Sequence, residues 1–204
     1  MLLSRLRGRA GKFPESKLAH SYCKGSGLEI GGAAHNPFGL NAKNVDFSKA
    51  MTVFKEEELK LCGEHLPVDV EAPGDCIPLP DESQDFVVSS HVLEHFPDPI
   101  AALLEWHRLV RKGGIIFMIV PHKDRTFDRE RPRTTLRELI DRHAGKVHLD
   151  RNVHWHYSVW ITEDVVELIR HMNEERVFSS PVKIEAVQDQ DDKVGNGFTI
   201  VLRK

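Results

Sequence analysis

The stretch "GLEIGGAAHNPFGLNAKNVDFS" over residues 27–48 joins a short apolar run, a glycine pair and an acidic residue framed by hydrophobics. Glycine adopts positive φ at little cost and lets the backbone approach a ligand with no Cβ in the way. A carboxylate closing the next apolar run can accept both hydroxyls of a ribose. Gly31 and Gly32 with Asp46 therefore suit a nucleoside. A second chemical signal follows Pro121, where His122, Lys123, Asp124, Arg125, Asp128, Arg129 and Arg131 crowd together, followed by His143, His148, His154 and His156. Histidine titrates near neutral pH and suits a general base for a hydroxyl acceptor. His122, directly after an apolar run, is the first candidate, with His154 and His91 next. His154 and His156 with Asp124 or Asp128 would suit a divalent ion, but no second fixed spacing accompanies them and no metal site is expected.

The elements that must position these residues alternate in type. Residues 28–30, 44–47 and 68–71 read as short strands, 85–90 as the clearest one, and the apolar run 114–121 as a central strand buried on both faces. Between them Ile100, Leu103, Leu104 and His107 or Arg108 recur at helical spacing, with Gly113 as the stop. A helix is also expected directly after Gly31 and Gly32, offering its first N–H groups to the ligand. Pro132 and "TTLRELI" predict a short amphipathic helix with Thr134 or Thr135 near its N-cap, read as a lid over the cavity mouth or as a surface excursion against the sheet. Residues 162–172 resume helical periodicity with Thr162 as N-cap, and 181–190 and 197–204 read as strands joined by a tight turn at Gly195, Asn196 and Gly197. Trp155, Tyr157 and Trp160 line an acceptor pocket or cover the core, with core expected for Trp160. Strands alternating with helices predict an α/β domain on a mostly parallel sheet.

The chain has 204 residues, 40% of them hydrophobic, which suits one domain with one sizeable core. Charged residues make up 29% yet nearly cancel to a net −3, so nucleic acid is not an expected partner. Cys23, Cys62 and Cys76 form no C-x-x-C spacing, which fits a reducing, cytoplasmic setting. "MLLSRLRGRAGK" lacks the apolar core of a signal peptide, and no run reaches the ~20 apolar residues of a membrane span.

Residues 70–121, "VEAPGDCIPLPDESQDFVVSSHVLEHFPDPIAALLEWHRLVRKGGIIFMIVP", closely resemble the central block of the class I S-adenosylmethionine-dependent methyltransferases, in the branch with an LEH motif after strand 4. The resemblance implies a Rossmann-like, seven-stranded, mostly parallel sheet with helices on both faces and a C-terminal antiparallel hairpin. By it, residues 26–121 form the cofactor-binding core, 122–158 an acceptor-recognition or lid insertion, 159–204 the last helix and hairpin, and 1–25 an N-terminal arm or helix of a single domain. It places Glu29, Gly31 and Gly32 at the methionine end of S-adenosylmethionine, Asp46 at its ribose, Asp75 at the adenine amino group with Cys76 and Ile77 beside the ring, and the backbone of Ser90 and His91 toward the amino group. Ala33 and His35 depart from the family's further glycines. Glu94 and His95 read as bracing the following helix.

The expected function is transfer of a methyl group from S-adenosylmethionine to an oxygen or nitrogen of a small polar acceptor, a saccharide among the candidates. A cofactor-binding domain without catalysis, acting as a regulatory or assembly partner, is the alternative, and a homo-oligomer stays open. A dinucleotide dehydrogenase is disfavoured because no G-x-G-x-x-G is present.

Overall fold

A computed structural model describes residues 11–150, 152 and 155–204. Its seven strands form one sheet in the order β3-β2-β1-β4-β5-β7-β6. They are β1 (Gly27–Ile30), β2 (Ala42–Asp46), β3 (Val70–Glu71), β4 (Gln84–Ser90), β5 (Val110–Pro121), β6 (Lys183–Gln188) and β7 (Gly197–Arg203). Strands β1 to β5 pair in parallel, and β7 runs antiparallel to both β5 and β6. The α/β class, the mostly parallel sheet and the closing hairpin are as expected. Among the described residues no helix is long and apolar enough to cross a membrane.

Alternation along the strands gives the sheet two apolar faces. On one, Leu28, Val45, Val87, Ile116 and Met118 meet helices α3 (Pro99–Leu109), α4 (Leu136–His143) and α5 (Thr162–Glu174), with Trp106 and Trp160 buried among them. On the other, Phe86, Val88, Phe117 and Val201 meet α1 (Lys17–Tyr22) and Phe38. Helix α2 (Val53–Cys62), unread in the sequence, stands over the strand ends.

Several local expectations change. No helix follows Gly31 and Gly32, because Pro37 drives Asn36 out of helical conformation and Gly39 takes φ +66°. The turn's N–H groups are used internally: Gly32 donates to Asn44 Oδ1 at 3.0 Å and Ala34 to Glu58 Oε2 at 2.7 Å. Phe38 from this loop covers the sheet where a crossover helix would lie, edge-on to Phe117 at 5.9 Å and beneath the Lys193 ammonium at 4.4 Å. Helix α3, capped by Asp98 with Pro99 in its first turn, stops at Leu109, and Gly113 instead sits at φ +80° within a bulge of β5 between Val110 and Ile115. Thr162 is the first residue of α5 and not its cap; the carboxylate of Asp164 accepts from Ile161 N at 2.9 Å in that role. The β6–β7 link is longer than a tight turn and is organised by Asp191, which accepts from the N–H groups of Lys193, Val194, Gly195 and Gly197 at 2.7–3.1 Å.

Helix α4 has the expected Thr135 cap, completed by Glu138 as a capping box. It packs through Leu139 on the core, and none of its residues lines the cavity described below, so it is the surface excursion rather than the lid. Trp160 lies in the core as expected, 1% exposed. Because Phe38 replaces a helix as cover, Phe38→Ala is expected to lower unfolding free energy by about 3–5 kcal/mol. Urea denaturation measures this, and a loss under about 1 kcal/mol would show that the loop does not seal that face.

Candidate functional site

A cavity of about 980 Å³ opens at the carboxyl ends of β1, β2 and β4. One end is the glycine turn. Gly31 takes φ +63°, and a Cβ there would lie 2.9 Å from Val92 Cγ2. A Cβ on Gly32 would lie 2.9 Å from both Asn44 Oδ1 and Glu29 Cδ. Neighbouring side chains therefore leave no room for a Cβ at either position, and the turn meets the cavity as bare backbone. Asp46 lines the same end. Its Oδ1 accepts from Ser48 N at 3.1 Å, and its Oδ2 lies 4.0 Å from Lys55 Nζ, so the carboxylate is fixed at the end of β2.

Glu29 lines the cavity beside Gly32, and burial pushes its carboxyl up to about 7. Burial also pushes Lys193 down to about 8, while its attraction to Glu29 acts the other way. Asp75 and Cys76 follow Gly74, which lines the cavity, but neither they nor Ile77 line it themselves. Cys76 is exposed, and buried Ile77 donates its N–H to Glu105 Oε1 at 2.7 Å. Ser90 and His35 reach the cavity, so the departure at His35 is an imidazole in the site and not only a change of loop path.

The other end gathers imidazoles. His91 leaves β4 at φ +56°, a left-handed conformation that turns the chain sharply toward the 3₁₀ turn Leu93–His95. His91, His95 and His156 line the cavity, with Glu94 completely buried beside them. Glu94 Oε1 lies 4.0 Å from His91 Nδ1, 3.7 Å from His95 Nε2 and 3.9 Å from His156 Nε2. Burial pushes the Glu94 carboxyl up to about 8 and the His91 imidazole down to about 4.

The first sequence candidate for the base is elsewhere. His122 is 8% exposed, outside the cavity lining, and its Nδ1 accepts from Asp124 N at 3.2 Å to cap the turn Lys123–Arg125. It stands edge-on to Phe198, and its Nε2 is 4.0 Å from Asp189. His154 lies outside the described residues. His143 bonds Asp98 at 2.8 Å and His148 is exposed. Glu94 and His95, read from the sequence as bracing the following helix, meet at the cavity with His156, weighed there only beside His154 for a divalent ion. The crowded spacing of "HVLEH" was the available signal.

Three arginines of the polar segment are tied into the protein. Arg125 pairs with Asp189, Arg133 with Asp164, and Arg131 bonds both Asp128 at 2.6 Å and the His156 carbonyl at 2.8 Å. Their guanidinium groups are engaged within the protein.

The methyltransferase domain family matches residues 23–118. Demethylmenaquinone methyltransferase of Geobacillus stearothermophilus is 34% identical over 71 residues, covering 35% of this chain and 30% of that protein. The chain spans less than half the length of the curated relatives it matches. Among solved structures, a SAM-dependent methyltransferase of Thermotoga maritima is 19% identical with a TM-score of 0.54, covering 91% of this chain and 84% of that one. Another, from Methanosarcina mazei, is 17% identical with a TM-score of 0.56, covering 92% and 97%. These two likenesses concern the fold. The domain match lies over the strands that build the cavity, so residues 23–118 are similar to a methyltransferase domain, and the fold is the one these S-adenosylmethionine-dependent methyltransferases share.

Proposed function

We propose that the protein transfers a methyl group from S-adenosylmethionine to an oxygen or nitrogen of a small polar acceptor, with a saccharide as the favoured class. The observation that carries this reading is a single cavity with the Gly31–Gly32 turn and Asp46 at one end and His91, His95 and His156 at the other. The turn suits the cofactor because Gly31 and Gly32 line the cavity with backbone alone, and Asp46 offers the acceptor oxygens a ribose needs. Glu29, Gly31, Gly32, Asp46 and the backbone of Ser90 and His91 would hold the cofactor, with Asp75, Cys76 and Ile77 proposed beside its adenine. When bound, S-adenosylmethionine supplies a methyl carbon already made electrophilic by its sulfonium.

What remains for the protein is positioning and proton removal. His91 lines the cavity at the end of β4 and is assigned the acceptor's proton. Phe54 and Phe127, 40% and 66% exposed, flank His95 and His156 with ring centroids at 6.3 Å and 4.7 Å. Aromatic faces beside imidazoles suit the mixed C–H and hydroxyl surface of a sugar. A phosphate or carboxylate acceptor is less suited, since Arg125 and Arg131 are already paired.

Asp46→Ala is expected to weaken S-adenosylhomocysteine binding about 10- to 100-fold, the worth of hydrogen bonds to a charged group. Titration calorimetry reads this, and unchanged affinity would remove Asp46 from the site. His91→Ala is expected to leave that binding intact and to lower acceptor-dependent formation of S-adenosylhomocysteine about 100-fold or more. Binding with no turnover on any sugar or amine acceptor in the unaltered protein would favour the non-catalytic alternative.

A pH dependence follows from Glu29, which Lys193 and Glu58 face. Without cofactor Glu29 keeps its proton up to about pH 7, and a cationic ligand favours the ionised form. Binding of S-adenosylmethionine should therefore release a proton below that pH, so affinity rises as pH approaches 7 and levels off above it. Calorimetry at pH ~6.5 in buffers of different ionisation heat counts the proton. Glu29→Gln should abolish the release, and a count of zero in the unaltered protein would contradict the assignment.

A further inference from the structure

We propose that Asn196 is a positioning residue for His91: its side-chain oxygen holds the proton of the imidazole Nε2, so that Nδ1 presents its lone pair to the cavity. The two residues reach the cavity from strands that flank β5 on opposite sides, His91 from the end of β4 and Asn196 from the start of β7. His91 N donates to the Ile119 carbonyl at 2.9 Å, and His122 N donates to the Asn196 carbonyl at 3.1 Å, so both hang on the last residues of β5. Both line the cavity, and the Asn196 side chain lies against the His91 ring.

Two buried atoms of this pair lack partners. His91 Nε2 and Asn196 Oδ1 are withdrawn from water, and neither has a hydrogen-bond partner among the described residues. Buried polar atoms left unpaired are costly, and folded proteins keep few of them. These two are complementary, because an imidazole nitrogen can carry a proton and an amide oxygen can only accept one. A small turn of the ring or the amide joins them and satisfies both with one bond. That bond needs the proton on Nε2, which in a neutral ring leaves the lone pair on Nδ1.

The surroundings favour this tautomer. The His91 side chain is 25% exposed while its Nε2 is buried, so Nδ1 is the nitrogen left to serve the cavity. Burial pushes His91 down to about 4 against the attraction of Asp191, and His156 acts in the same direction as burial, so the ring is neutral. Glu94 Oε1 lies 4.0 Å from Nδ1, beyond hydrogen-bond distance, and burial keeps its carboxyl protonated up to about 8. A protonated carboxyl makes no demand for a proton on Nδ1. Both backbones are fixed, His91 by its left-handed turn at φ +56° and Asn196 by the loop that Asp191 organises.

On the transferase reading, the acceptor's proton goes to Nδ1 as its oxygen or nitrogen bonds the methyl carbon, and the electron pair of the broken S–C bond stays on sulfur. The imidazolium so formed keeps its Nε2 proton on Asn196. This use of Nδ1 rests on the proposed function; the tautomer itself does not.

The test is long-range proton–nitrogen correlation spectroscopy of the imidazoles in isotope-labelled, ligand-free protein near neutral pH, with His91 assigned by its loss in His91→Gln. The unaltered protein is expected to show His91 protonated on Nε2, and Asn196→Leu, which lacks the acceptor, a mixture of the two tautomers. Asn196→Asp keeps an acceptor oxygen and adds a charge, so it should retain the Nε2–H form and raise the His91 pKa by about 1 or more. The proposal is overturned if His91 of the unaltered protein carries its proton on Nδ1. It is equally overturned if Asn196→Leu, with the amide spectrum of a folded protein, leaves the His91 pattern unchanged. Should Asn196→Leu fail to fold, an unchanged His91 titration in Asn196→Asp overturns it. With an acceptor in hand, Asn196→Leu should also lower formation of S-adenosylhomocysteine about 10-fold, the worth of one hydrogen bond. An unaltered protein that shows the Nε2–H form but turns over no acceptor would contradict the transferase reading and leave the Asn196 assignment standing.

Discussion

The pairing of β1 with β4, from Gly27 against Phe86 to Ile30 against Ser89, governs the rest of the molecule. From these adjacent strands the chain departs in opposite directions, β1 toward β2 and β4 toward β5. Between them a crevice opens at the strands' carboxyl ends, where loops from both halves of the sheet meet. Everything with chemical potential converges there: the turn after β1, Asp46 at the end of β2, and the Ser90–His91 corner after β4. Gly27 permits the close approach of β1 and β4, since a Cβ at that position would lie 2.3 Å from the Phe86 carbonyl oxygen.

Burial at this crevice sets its electrostatics. Glu29, Glu94 and His91 are all withdrawn from water, and each is pushed toward its neutral form by that withdrawal. Arg131 is paired with Asp128 and Arg125 with Asp189. Lys193 joins the two faces of the arrangement. Its ammonium bonds the carbonyls of Pro14 and Pro37, covers the Phe38 ring, and feels the Glu29 carboxyl. The β6–β7 loop that carries Lys193 is fixed by four N–H bonds to Asp191, so the far end of the chain helps to hold the first motif in place.

The strands and the glycine-turn end of the cavity were legible in the sequence because their signals are local. Apolar runs bounded by Gly and Pro marked the sheet, and Gly31, Gly32 and Asp46 lie within one strand–loop–strand unit. The loop replacing the crossover helix was missed because the helix was expected from the glycine turn itself, without regard to Asn36-Pro37 and Gly39. The imidazole end was far less legible. His122 was favoured by its place beside β5, but chain proximity does not specify direction, and its imidazole serves to cap the turn that follows. Glu94 looked like a helix brace, and His156 was one histidine among several in a polar segment. Their meeting depends on a positive φ at His91 and on a return of the chain more than fifty residues later, where Tyr157 N bonds the Glu94 carbonyl at 2.8 Å. No period or spacing in the sequence encodes that return.

The central claim is that the crevice at β1, β2 and β4 is built for a sulfur nucleoside. The most direct test is calorimetric titration of the unaltered protein with S-adenosylmethionine and S-adenosylhomocysteine, with NAD as the control. The account predicts saturable binding of both sulfur nucleosides and none of NAD. Binding of NAD with neither sulfur nucleoside bound would contradict it.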